Sequence, residues 1–185
     1  EFQTKAPSST QPPPITQKTE NQKPLTAPQA TDPILVASIL RDAYSEERLA
    51  EDIYTLMVAK YPQFTEVTNI IDSEEKHSAQ VGRLLDDRGI ARPTDYGSYS
   101  GTYEVLKKMI DTSLTQAIEV GIMVEVGDID HLLEEYRKIE DADVRRVFEN
   151  IGGGSFNHLR AFLKLAGENN YSVTTDYARY MTADE

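Results

Sequence analysis

The chain has 185 residues, enough for one domain of ordinary size, and at 39% hydrophobic and 27% charged residues it can bury a core. Its net charge of −12 argues against a nucleic-acid partner, and no apolar run approaches the roughly 18 residues of a membrane span. With no Cys, disulfides, thiolate metal sites, iron–sulfur clusters and Cys nucleophiles are excluded.

Seven of the nine prolines fall within residues 1–33, among many Ser, Thr, Gln and Lys residues. Residues 1–32 read as a disordered tether, because they carry too little apolar surface to offset the entropy of ordering. Glu1, Glu20 and Asp32 balance Lys5, Lys18 and Lys23, so the whole −12 belongs to the remainder. A Pro/Thr/Gln-rich tether before a compact domain is common in exported proteins. It points to an extracytoplasmic chain, secreted, periplasmic or surface-tethered; a cytoplasmic protein with a floppy tail is the alternative. The chain lacks an initiator Met and a signal peptide, and reads as a processed or truncated form whose leading Glu-Phe is consistent with a cloning remnant.

From residue 33 onward the hydrophobic period is helical. Asp32 and Pro33 predict an N-cap and a first-turn proline for a first helix that runs to about Tyr61, where Pro62 stops it. A second helix is predicted from Thr65 to Arg88, ended by Gly89. Residues 90–101 read as a loop, and a short extra helix follows from Tyr103 to Ile110. A third long helix covers Ser113 to Ile139. A fourth runs from Ala142 to Ala166, interrupted or strained at Gly152, Gly153 and Gly154. Residues 168–185 read as an irregular tail packed on the bundle. The expected fold is all-α, a four-helix bundle over residues 33–167.

Each long helix carries a core-facing stripe that is apolar except at mid-height. The stripes read Val36, Leu40, Ala43, Glu47, Ala50, Tyr54, Met57; Val67, Ile70, Glu74, His77, Val81, Leu84; Ile118, Ile122, Glu125, Ile129, Leu132, Tyr136; and Val144, Phe148, Ile151, Ser155, His158, Phe162, Leu165. In an antiparallel bundle the midpoints meet in one layer. Three carboxylates and two imidazoles should therefore converge in the core at Glu47, Glu74, His77, Glu125 and His158. An unpaired buried carboxylate costs several kcal/mol, roughly, and no Lys or Arg lies in any stripe at that height. Either the carboxylates are protonated or metal ions occupy the centre, and a Glu/His donor set suits iron, manganese or zinc. Asp128 and Glu51 stand close enough in the helical pattern to be extra ligands or partners of ligands. Tyr54 reads as a hydrogen-bonding or redox neighbour, or as an ordinary core aromatic. Glu46, Glu75 and Glu119 turn away from their stripes and are expected in solvent, as is His131.

The segments EERLAEDIY, SEEKH, VEVGDI and GSFNHLRAF resemble the ferritin-like, or di-iron carboxylate, superfamily. Within it they are most similar to an uncharacterised bacterial and archaeal family, domain of unknown function 2202, over residues 34–166. The resemblance implies a ferritin-like bundle with two metal ions, Glu74 bridging them. It also marks a departure: Ser155 stands where the fourth helix would carry a bridging Glu, so a weaker second ion is expected unless Asp128, Glu51 or a hydroxide completes its position, and a mononuclear site is the alternative. The leading functional expectation is iron-dependent oxygen or peroxide chemistry, of ferroxidase or peroxidase type, with electrons from an external donor. A non-redox zinc or manganese module and a metal-free extracytoplasmic interaction domain are the other readings. A homodimer is among the expected partners.

Overall fold

The computed structural model describes residues 32–181, so the tether expected over residues 1–32 lies, but for Asp32, outside the described residues. Five α-helices are present among them: α1 (Pro33–Lys60), α2 (Thr65–Asp87), α3 (Ser100–Thr112), α4 (Leu114–Lys138) and α5 (Ala142–Glu168). The helix ends follow from local chemistry. Asp32 accepts a hydrogen bond from the Ile34 N–H, with Pro33 in the first turn. Ser113 caps α4 through the Gln116 N–H, and Asp141 caps α5 through the Asp143 and Val144 N–H groups. Gly89, at a φ of +64°, closes the end of α2, where left-handed backbone favours glycine. Among the described residues, no helix is long and apolar enough to cross a membrane.

The long helices α1, α2, α4 and α5 form the expected four-helix bundle. Two apolar clusters sit at its two ends. One joins the ends of α1 and α5 to the starts of α2 and α4, through residues such as Met57, Phe64, Ile118 and Phe162. The other joins the starts of α1 and α5 to the ends of α2 and α4, through Leu40, Leu85, Ile139 and Phe148. Thus α1 and α5 run one way and α2 and α4 the other. Short links join α1 to α2 and α4 to α5. The connection from α2 to α4 must travel the length of the bundle, and α3 with a 3₁₀ turn at Gly97–Tyr99 makes that journey across the α1–α4 seam.

Every stripe residue is buried save Tyr136, which is half-buried. The fourth long helix departs from expectation: α5 runs unbroken through Gly152, Gly153 and Gly154 and reaches Glu168. Glycine weakens a helix but does not by itself break it. Beyond α5 the tail folds back, and Tyr171, Val173, Tyr177 and Tyr180 pack on the first apolar cluster.

Candidate metal centre

Between the two apolar clusters lies one buried polar layer, at the height where the four stripes turn polar. Glu47, Glu74, His77, Glu125 and His158 are all buried there. They form two trios that share Glu74: Glu47–Glu74–His77 and Glu74–Glu125–His158, each with potential ligand atoms within 4.8 Å of one another. The shared carboxylate is split between the two. Its Oε2 lies 2.9 Å from His77 Nδ1, and its Oε1 lies 2.7 Å from His158 Nδ1. Glu47 Oε2 stands 3.3 Å from His77 Nδ1, and Glu125 Oε2 stands 3.5 Å from His158 Nδ1. The two imidazole rings are 5.6 Å apart, centre to centre.

The His158 contacts are short but poorly directed: no hydrogen bond forms at its Nδ1, so the attraction is electrostatic. Burial alone would favour a neutral ring, but the flanking Glu125 and Glu74 carboxylates outweigh it and push the His158 pKa up to about 10. Burial would raise Glu74 as well, yet the His158 and His77 rings hold it down to about 2. Burial lifts Glu125 to about 7, with Glu74 adding to the rise and His158 and Tyr54 opposing it. Glu47 and Asp128 are raised well above the carboxylate range by burial. Asp128 and Glu74 add to the effect on Glu47, and Glu46 adds to that on Asp128. The layer therefore holds protons that a cation would have to displace.

These residues form two groups that could each hold a metal ion. Glu47 Oε1, Asp128 Oδ1 and His158 Nδ1 are buried with no hydrogen-bond partner, a costly state that a cation would relieve. Glu46, Glu47, Glu74, Glu125 and Asp128 line one small void. Ser155, where related bundles are expected to carry a glutamate, donates its hydroxyl to Asp128. A fourth carboxylate is thus present, but on α4. Neither trio includes Asp128 or the half-buried Glu51. Tyr54 is fully buried, donates to Glu125 Oε1, and packs 5.2 Å from the Phe162 ring. Burial, then the Glu125 charge, raises its pKa well above the usual phenol value. Gly154 has a role in the site: a Cβ there would stand 2.6 Å from both His77 Cε1 and Nε2, so only a bare backbone admits the ring.

Three residues expected in solvent are not there, while Glu75 is exposed as expected. Glu46 is buried and paired with His131 Nδ1, and the Tyr99 hydroxyl donates to it at 3.2 Å. His131, only partly exposed, has Glu135 3.7 Å from its Nε2. Both residues do turn from the stripes, but α3 and the Tyr99 turn cover that side. Glu119 is 2% exposed and accepts hydrogen bonds from the N–H and hydroxyl groups of Thr174 and Thr175. It pins the returning tail. A helix stripe reports only the face toward its own bundle, so a segment arriving from elsewhere leaves no mark on it.

The model of the family described as Uncharacterized protein domain (DUF2202) matches residues 38–184. The chain belongs to this family. A DUF2202-like relative, Uncharacterized protein MJ0754 of Methanocaldococcus jannaschii, is 32% identical over 140 residues, covering 71% of this chain and 75% of its own length. The crystal structure of that hypothetical protein superimposes with a TM-score of 0.75 at 28% identity, over 84% of this chain and 94% of the other. This neighbour shares the helical-bundle fold.

Proposed function

We propose that this protein holds two divalent metal ions in the mid-height layer, iron being the working metal, and reduces oxygen or peroxide with them. The observation that carries the reading is the splitting of Glu74. One of its oxygens faces His77 and Glu47, the other His158 and Glu125. A carboxylate poised between two imidazole–carboxylate pairs is suited to bridge two cations. In this reading Glu47 and His77 hold one ion, and Glu125 and His158 the other. Five carboxylates line the void; with Glu46 paired to His131, the other four, Asp128 among them, balance two divalent charges.

When bound, a pair of ferrous ions supplies two electrons, which with two protons reduce one peroxide to two waters. The chain's own groups do the rest. Tyr54 fixes one Glu125 oxygen by its hydrogen bond and leaves the other turned to His158. Ser155 fixes Oδ2 of Asp128, leaving Oδ1 without a partner and open to a cation. The apolar clusters above and below exclude water, which strengthens every charge interaction between them. Electrons for repeated turnover must come from outside, because the chain has no Cys for a built-in thiolate-ligated donor.

Anaerobic ferrous titration, then admission of oxygen or peroxide, tests the reading. Two irons per chain and consumption of the oxidant are expected. Tight binding of redox-silent zinc with no ferrous oxidation would replace the reading by a structural metal module. No metal bound at all would replace it by a metal-free bundle.

A further inference from the structure

Glu46 borders two spaces at once. It lines the inner void together with Glu47, Glu74, Glu125 and Asp128. It also lines a surface pocket of about 170 Å³, beside Tyr99, Thr102, Met123 and Gly127. Val124 is the other residue common to both, so Glu46 and Val124 form the wall between them. The pocket sits on the α1–α4 seam under α3. On its outer side Glu46 is held by His131 and Tyr99. On the inner side Asp128, only 6% exposed, faces the same void with Oδ1 unpartnered. That orphaned oxygen is an independent sign that the void takes a cation.

We infer that Glu46 is the transfer residue by which divalent cations pass from the Tyr99/Gly127 pocket to the Glu47–Glu74–Glu125 cluster. The inference rests on the metal-centre reading above. A cation that sheds water against an apolar wall meets a steep desolvation cost, and a carboxylate set in that wall offsets it. Val124 gives the apolar part of the wall and Glu46 the charge. His131 is the resting partner that Glu46 exchanges for the cation and regains once the ion has moved inward. The rival route is the groove of about 340 Å³ between α4 and α5, floored by Gly152 and Gly153. Its lining is nearly all apolar, Leu132, Phe148 and Phe156 among it. Its carboxylate, Glu149, is engaged by the Tyr136 hydroxyl at 2.5 Å.

Stopped-flow loading of the full chain with cobalt(II), release into excess chelator, and equilibrium titration together test the route. An obstacle on a path slows passage both ways by the same factor and leaves the dissociation constant unchanged. A Cβ at Gly127 meets nothing within 4 Å, so Gly127→Leu fills the pocket without disturbing the helix packing. Loading and release should both slow by the same factor, at unchanged affinity. Glu46→Gln should slow loading by more than it weakens affinity, so that release slows too. Gly153→Leu, where a Cβ also meets nothing, should change neither rate. Retained stoichiometry shows that each variant is folded; if Gly127→Leu is not, Thr102→Trp narrows the same mouth from an exposed position. Wild-type rates in the pocket and Glu46 variants, or slowing by Gly153→Leu, would overturn the route. A chain that takes up no cobalt at equilibrium would overturn the metal centre, and the route with it.

Discussion

Gly154→Ala tests whether the glycine at this position of α5 is there for His77. The added Cβ would lie 2.6 Å from two ring atoms, about 1 Å inside ordinary contact. The ring cannot retreat freely, because its Nδ1 is 2.9 Å from Glu74 and its Nε2 is 3.4 Å from the Ser73 hydroxyl. A shift of about 1 Å breaks the first contact, and overpacking of this kind costs about 1–3 kcal/mol. Replacing glycine in a helix interior gives back about 1 kcal/mol. The sharp comparison is with Gly153→Ala, which gains the helical term and meets no neighbour. Under chelation, urea unfolding should show Gly153→Ala the more stable of the two by about 1–3 kcal/mol. On metal titration, Gly154→Ala alone should weaken the Glu47–Glu74–His77 position, by about 10–100-fold if displacing the ring costs as much as losing a supporting contact. Equal stability of the two variants, with both ions bound at wild-type affinity, would refute the reasoning.

Metal binding should release protons, because Glu47 and Asp128 are raised and Glu125 and His158 titrate at about 7 and about 10. Affinity should therefore rise from pH 6 to pH 8, and calorimetry in buffers of different ionisation heat counts the protons. The chelated protein should lose stability as pH rises, because the raised Glu125 and His158 stabilise the fold fully below their ordinary values of 4.5 and 6.5 and lose this through about 7 and about 10. Thermal melts from pH 5 to pH 9 check the sign. Asp128→Asn removes the fourth carboxylate and should leave one ion tight and the other about tenfold weaker, read by titration with manganese. Glu119→Ala should free the tail, costing about 2 kcal/mol and exposing residues 171–181 to limited proteolysis.

The bundle and its polar layer are legible in the sequence for one reason: a helix stripe has a period, and a break in it shows. Glu47, Glu74, His77, Glu125 and His158 were each a polar residue on an apolar stripe, and the structure gathers all five. Asp128 was visible as a candidate only by its spacing from Glu125, and the hydroxyl of Ser155 explains how it is held. Glu46, His131 and Glu119 were misread because their burial depends on α3, the Tyr99 turn and the tail, far away in sequence. Gly152, Gly153 and Gly154 read as an interruption or strain in the helix. For Gly154 the reason lies on α2, in the His77 ring, and no local pattern in α5 records it.

Anomalous scattering at the iron edge, from crystals of the iron-loaded full chain, tests the central claim most directly. Two peaks per chain are expected, one beside His77 and Glu47 and one beside His158 and Glu125, with a Glu74 oxygen turned to each. A single peak, or two peaks with Glu74 turned to only one of them, would contradict a centre built on a shared carboxylate.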